Sequence, residues 1–160
     1  MNKRNRKPAI GESFQAWSGD DAATLRNLID ELQWFGPRRF ADEISRCREC
    51  LAALADPASD LTDWPDQFEN CIDVACEALT AWAQERNPYI WFGANPHYPE
   101  SFGFWPDADA ARDNADWIGD GFGEWPRGFS GLAIVVNDHG NMTAYRVSRG
   151  RKYQTYFSVV

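Results

Sequence analysis

Apolar residues recur at intervals of three and four along the first half of the chain, which is the spacing of one face of an α-helix. The first such stripe follows Ser18-Gly19-Asp20-Asp21, where Ser18 is placed to cap a helix and the acids favour its N-terminus. The stripe is followed by Gly36-Pro37, a pair typical of the end of a helix. A first helix is therefore predicted between these boundaries, with a buried stripe of Leu25, Leu28, Ile29, Leu32 and Phe35.

Two further stripes predict a second and a third helix. The second ends before Asp56-Pro57, and its stripe is Phe40, Ile44, Cys47, Leu51 and Leu54. The third begins with Asp63 as a cap and Pro65 in the first turn, and it stops near Asn87-Pro88 because the residue before a proline avoids helical geometry. Its stripe is Phe68, Ile72, Ala75, Leu79 and Trp82, and Trp34 and Trp64 also fall at or near core positions.

After Pro88 the pattern changes to short β-rich runs separated by Gly and Pro. It predicts strands at 89–92 and 102–105, a short helix at 107–118, a loop at 119–131, and a meander of strands at 132–136, 143–148 and 153–160. Gly140 supplies the positive φ that the turn at 138–141 needs. We therefore expect an α+β fold, with an N-terminal three-helix half packed on a small C-terminal antiparallel β-meander.

The length and composition favour one globular domain. The chain has 160 residues, 44% of them hydrophobic and 25% charged. We expect a basic tail and entry segment at 1–17, followed by a single domain at 18–160 that is helical over 18–87 and β-rich over 88–160. No apolar run exceeds five residues, and no apolar segment follows the basic N-terminus, so neither a membrane span nor a secretory signal is expected. The four cysteines then suit reduced thiols in a cytoplasm.

Charge is distributed unevenly along a chain whose net charge is −8. Residues 1–7 and 146–160 each carry +4 and no acid, which leaves −16 between them. The stretch between Arg48 and Arg86 holds nine carboxylates and no basic residue. This distribution argues against direct nucleic-acid binding over most of the surface. Binding through the two basic ends remains an alternative, with the steep salt dependence typical of phosphate contacts.

Two series of carboxylates have helical spacing. Asp66, Glu69, Asp73 and Glu77 follow at +3, +4 and +4, opposite the apolar stripe of the third helix, and Asp109, Asp113, Asp116 and Asp120 repeat at +4, +3 and +4. Like charges at these spacings destabilise a helix by about 0.2–0.5 kcal/mol per pair. A surface that keeps them suits a basic partner, although an ordinary solvated face or a divalent-metal site gives the same pattern. We expect the partner to be the basic surface of another protein, with this chain a monomer or homodimer.

The aromatic residues exceed what one small core needs. The chain has eight Trp among its 23 aromatic residues. Some should remain on the surface, where tryptophans anchor interfaces, and we expect Trp105 and Trp125 to act in this way. Base stacking is the other use of such rings, but the neighbouring acids argue against it.

The cysteines and histidines support an alternative to a partner-binding protein, namely a small metal-binding protein or a hydrolase-type enzyme. Cys47 and Cys50 have zinc-like spacing, whereas Cys71 and Cys76 do not, so core packing is favoured over a metal site or a bridge between helices. His97 and the Asp138-His139 pair are the candidates for general acid–base work. No catalytic or nucleotide-binding motif is present, and we assign no catalytic residue, metal ligand or cofactor.

Two segments carry a family resemblance: Phe102-Gly103-Phe104-Trp105-Pro106-Asp107 and the run from Val135 to Thr143. Together they resemble the C-terminal half of small uncharacterised bacteriophage proteins, over about residues 89–145. The resemblance implies an accessory protein of a mobile element, a class that includes inhibitors of host defence such as anti-CRISPR proteins. It supplies no functional residues. The expected function is therefore non-enzymatic inhibition of a host defence nucleoprotein complex, in the host cytoplasm, by occupation of its nucleic-acid-binding surface.

Overall fold

The computed structural model describes residues 8–16, 20–60, 62–149 and 152–159. Three helices follow one another in the first half of the chain and most strands lie in the second half, which confirms the α+β class. In chain order the elements are β1 (Gly11–Gln15), α1 (Asp21–Phe35), α2 (Ala41–Ala55), α3 (Trp64–Gln84), β2 (Ile90–Ala94), β3 (Ser101–Pro106), α4 (Ala108–Asp113), β4 (Trp117–Gly119), β5 (Gly131–Val136), β6 (Met142–Ser148) and β7 (Lys152–Val159). No helix of the described residues is long and apolar enough to cross a membrane.

The chain divides into two compact units. The helical unit comprises the residues up to 86 together with 91–105, and the C-terminal unit comprises 87–90 together with 106 onward. Within the helical unit, α1, α2 and α3 pack with strands of a three-stranded sheet of order β1-β3-β2. The strands that share a unit with the helices are therefore not those of the predicted meander. A single domain over 18–160 stays a prediction.

The three predicted N-terminal helices are confirmed, with different caps. Asp20 caps α1, because its carboxylate accepts a hydrogen bond from the backbone N–H of Ala23 at 2.8 Å, while Ser18 lies outside the described residues. Asp63 occupies the cap position of α3 but makes no side-chain capping bond. Trp34 was expected in or near the core, yet 57% of its surface is exposed. The buried face of α1 is instead formed by its leucines and Ile29.

Aromatic rings fill much of the core of the helical unit. Phe104 on β3 packs edge-on against Phe92 of β2 and Phe35 of α1, with ring centroids 4.8 and 5.3 Å away. Trp82 of α3 completes the cluster at 4.4 Å from the ring of Phe35. Strand β1 joins this sheet by antiparallel pairing with β3. It lies inside the segment 1–17, for which the sequence predicts a basic tail and entry segment and no strand.

The C-terminal unit contains a mixed four-stranded sheet of order β4-β5-β6-β7. The antiparallel ladder of β5, β6 and β7 confirms the predicted meander, and Gly140 has the expected positive φ of 83°. The predicted helix at 107–118 is wrong beyond Asp113, where α4 ends. Asp116 exchanges hydrogen bonds with Leu132 through its backbone N–H and its carboxylate, and these bonds lead the chain into β4, which runs parallel to β5.

Candidate functional site

The first carboxylate series lies where the sequence placed it. Asp66, Glu69, Asp73 and Glu77 all project from α3 and are exposed; we call these four residues the acidic face. With a rise of about 1.5 Å per residue, they extend over about 16 Å of the helix. None of the four forms an ion pair with another described residue. The helix therefore presents, along one line, four negative charges that no described residue pairs with.

A nearby carboxylate on the same segment is neutralised. Glu85 follows the last residue of α3 and accepts two hydrogen bonds from the guanidinium of Arg39, at 2.6 and 3.0 Å. Arg86 lies 3.5 Å from the same carboxylate. The hydrogen bond from Arg39 lowers the pKa of Glu85, and the charge of Arg86 adds to this. Glu85 thus differs from the carboxylates of the acidic face, none of which forms an ion pair with a described residue.

A shallow groove of about 460 Å³ runs beside the acidic face, between α3 and β2. Asp73 and Glu77 line it together with Thr80 and Phe92. The hydroxyl of Thr80 accepts a hydrogen bond from the backbone N–H of Phe92 at 2.8 Å, and it also lies 3.3 Å from the carbonyl oxygen of that residue. These two hydrogen bonds hold α3 against β2. Asp73 and Glu77 therefore project from a helix whose position is fixed by the sheet.

The second carboxylate series does not form a stripe, which corrects our expectation. Asp109 and Asp113 belong to the short helix α4, but Asp116 and Asp120 lie on either side of strand β4. The carboxylate of Asp116 accepts a hydrogen bond from the backbone N–H of Leu132 at 2.8 Å. Because the helix ends at Asp113, the four side chains share no helical face. Their use as one binding surface loses its geometric basis.

Trp105 and Trp125, both expected to anchor a partner at the surface, are half-buried and buried in the fold. The indole N–H of Trp105 donates to the carbonyl of Gly93 at 2.8 Å, which ties β3 to β2 and leaves the ring half-buried. Trp125 is only 7% exposed and lies edge-on to Trp117, so it is wrong as an exposed anchor. The ring of Phe122 is exposed instead and contacts the exposed ring of Tyr153 at 5.0 Å.

The cysteines pack between α2 and α3. The thiol of Cys71 donates to the sulfur of Cys47 at 3.4 Å, and both residues are buried. That bond lowers the pKa of Cys47 and raises the pKa of Cys71. Burial raises the pKa of Cys50 to about 11 and that of Cys76 to about 12. The described residues contain no group of three His, Cys, Asp or Glu side chains arranged to hold a metal ion.

The two histidines belong to different units of the fold. His97 is an exposed residue of the loop between β2 and β3, held by a bond from its backbone N–H to Asn95. His139 lies in the exposed turn between β5 and β6, with its Nε2 3.6 Å from a carboxylate oxygen of Asp138. Their proposed partnership in acid–base chemistry stays a prediction.

Sequence reasoning missed a pocket of about 700 Å³ in the C-terminal unit that is open to solvent, which we call the cavity. Its lining includes Tyr89, Tyr156, Asp116 and Arg146. Burial raises the pKa of Tyr89, and the nearby Tyr156 and Asp116 contribute. The basic run that begins at Arg146 was the one sequence signal, but the residues that complete the cavity are distant along the chain.

The comparisons with known proteins leave the function to be inferred from these residues. Neither protein-family models, nor curated proteins, nor solved structures gave a match to this chain.

Proposed function

We propose that this protein is a non-enzymatic inhibitor that places its acidic face on the basic, nucleic-acid-binding surface of another protein. The supporting observation is the row of four exposed carboxylates on α3 that have no ionic partner among the described residues. The resemblance to phage-encoded proteins favours a host defence nucleoprotein complex as the partner, met in the host cytoplasm.

The spacing of the charges supports this proposal. Residues three or four apart on a helix advance about 5 Å along its axis, so the acidic face carries about one negative charge per 5 Å. One strand of B-DNA carries about one per 3.4 Å. A protein groove lined with Lys and Arg to follow a phosphate backbone would therefore meet a comparable, somewhat sparser row of anions. Such complementarity chiefly sets specificity and the rate of association.

The energetics of α3 point the same way. The three successive like-charged pairs, Asp66 with Glu69, Glu69 with Asp73, and Asp73 with Glu77, repel one another at helical spacing. Interleaved lysines would remove this repulsion, yet the sequence has none from residue 49 to residue 85. A basic partner supplies the missing positive charge when it binds.

Affinity capture from a host lysate with charge-matched variants tests the proposal. The face variant carries Asp66→Asn, Glu69→Gln, Asp73→Asn and Glu77→Gln. Its control carries Asp30→Asn, Asp42→Asn, Glu100→Gln and Asp138→Asn, which removes the same charge from exposed positions elsewhere. We expect the wild type and the control to retain one stoichiometric partner at low salt and to lose it at moderate salt, where charges more than about 10 Å apart are screened.

The face variant distinguishes a local interaction from a general effect of net charge. We expect it to retain no partner at any salt concentration while remaining folded. Equal capture by the face variant would contradict the proposal, and so would equal loss in both variants.

A further inference from the structure

We infer that the cavity of the C-terminal unit is a binding site for a small organic anion, with a carboxylate or phosphate head and a flat apolar body. Its volume of about 700 Å³ lies within the range of roughly 300–1,000 Å³ typical of ligand pockets. The inference does not depend on the acidic face, because every lining residue belongs to the C-terminal unit.

The floor of the cavity is one face of the sheet. Leu132 of β5 lies directly opposite Arg146 of β6 in the antiparallel ladder, so their side chains share a face. Ser148 follows on the same face two residues later. Helix α4 covers the other part of this face, where Ala111 packs among the buried Ile134 and Ala144. The polar end that α4 leaves uncovered forms the cavity.

An irregularity in β7 turns a tyrosine toward this face. Ala144 pairs with Phe157 and Tyr145 pairs with Thr155, so Tyr156 is an extra residue in its strand. Such a bulge redirects side chains relative to regular alternation. Tyr156 accordingly packs with the same cluster as Phe157, and its ring lies 5.9 Å from that of Tyr89.

A buried amide fixes both tyrosines. Asn87 is only 6% exposed. Its Nδ2 donates to the carbonyl of Tyr156 at 3.0 Å, and its Oδ1 accepts from the backbone N–H of Tyr89 at 3.1 Å. The backbone that carries both rings is therefore held in place before any ligand arrives, which reduces the entropy lost on binding.

The opposite wall is formed by Asp116 and Gly131. A Cβ atom at position 131 would clash with the Asp116 carboxylate, and Gly131 also has a φ of 152°. Only glycine leaves the carboxylate room to reach the backbone N–H of Leu132. The Asp116 carboxylate, fixed in this way, can accept a further hydrogen bond.

Hydrogen-bond donors in the lining that have no partner among the described residues indicate that the ligand is an anion. The guanidinium of Arg146 makes no hydrogen bond or ion pair with any described residue, and no ion pair joins it to Asp116. The hydroxyls of Tyr89, Tyr156 and Ser148 likewise have no partner among the described side chains and backbone. A guanidinium binds carboxylate and phosphate through paired hydrogen bonds, and the two rings offer a surface for a flat group. Anions of this kind match both features.

The inference is tested by titrating the full chain with phenyl phosphate, benzoate and inorganic phosphate. Calorimetry and amide NMR shifts measure the binding. The site variants are Arg146→Gln and Tyr156→Leu. Arg127→Gln is the matched control, because Arg127 is exposed in the same unit and does not line the cavity. We expect phenyl phosphate or benzoate to bind at one site per chain, with shifts centred on Tyr89, Leu132 and Arg146.

The affinity should fall about tenfold or more in Arg146→Gln, since a charge-assisted hydrogen bond is lost, and should be unchanged in Arg127→Gln. Inorganic phosphate should bind more weakly because it lacks the flat body. The absence of saturable binding of any probe to the folded wild type at millimolar concentration would overturn the inference. Equal weakening by the two arginine variants would also overturn it, since general electrostatic attraction would then account for the binding.

Discussion

Asn87 donates a hydrogen bond from its side chain to the backbone oxygen of Tyr156, which lies 69 residues further along the chain, at 3.0 Å. The same side chain accepts from the backbone of Tyr89. A buried amide thus supports both the bulge in β7 and the aromatic wall of the cavity. Side-chain amides in such positions stabilise a structure mainly because their loss leaves buried backbone groups without partners.

We expect Asn87→Ala to lower the free energy of unfolding by about 2 kcal/mol, because two backbone groups lose their hydrogen bonds. Urea denaturation monitored by circular dichroism measures the change. Asn114→Ala is the control, since Asn114 is exposed and its side chain makes a single hydrogen bond, to the carbonyl of Ala110; the destabilisation should stay below about 1 kcal/mol. Equal destabilisation by both substitutions would show that Asn87 has no special supporting role.

Gly131→Ala should displace the Asp116 carboxylate from Leu132. The substitution places a Cβ against that carboxylate and forces alanine into a positive φ, which costs about 1–3 kcal/mol. The expected signature is reduced thermal stability together with a changed amide NMR signal of Leu132. Gly128→Ala provides a comparison, because Gly128 also has a positive φ but has open space around it. An unchanged Leu132 signal in Gly131→Ala would contradict the described contact.

Removing charge from the acidic face should stabilise the protein while abolishing partner binding. Glu69→Gln, Asp73→Asn and Glu77→Gln together remove all three repulsive pairs and retain Asp66, which lies in the first turn of α3, where negative charge is favourable. At about 0.2–0.5 kcal/mol per pair, the gain is about 1 kcal/mol. Thermal unfolding at low salt measures it, and added salt should reduce the gain. A lower melting temperature would mean that these carboxylates make stabilising contacts.

The thiols should react slowly in the folded protein. Cys47 and Cys71 are buried, and the pKa values of about 11 for Cys50 and about 12 for Cys76 leave little thiolate at pH 8. We expect a disulfide reagent such as Ellman's reagent to modify all four cysteines promptly only after unfolding. In the folded state the rate for Cys50 should rise about tenfold per pH unit between pH 8 and 10. Prompt modification of Cys50 at pH 8 would contradict the described environment.

The sequence predicted those elements whose signals are local. The periodic stripes and turn residues of α1, α2 and α3 lie within each helix, and the hairpins of the meander depend on a few adjacent residues. The acidic face followed directly from helical spacing on α3, since a long helix keeps its register.

Elements that depend on distant partners were missed. Strand β1 forms by pairing with β3, and Gly11 lies opposite Phe104 in that pairing. No residue near Gly11 indicates that partner. Strand β4 has only three residues and follows a turn held by hydrogen bonds between Asp116 and Leu132. The acids keep helical spacing through this turn, so the sequence predicted a helix that extends past the end of α4. The cavity depends on a bulge at Tyr156 and on Asn87, and neither feature has a signal in the local pattern.

An acidic face that occupies a nucleic-acid-binding surface must displace nucleic acid from that surface. The most direct measurement is displacement of fluorescently labelled nucleic acid from the captured partner, followed by anisotropy, with wild type, face variant and charge-matched control. We expect stoichiometric displacement by the wild type and the control, and none by the face variant. Displacement by the face variant at the wild-type concentration, or a partner that keeps its nucleic acid while bound to the wild type, would contradict it.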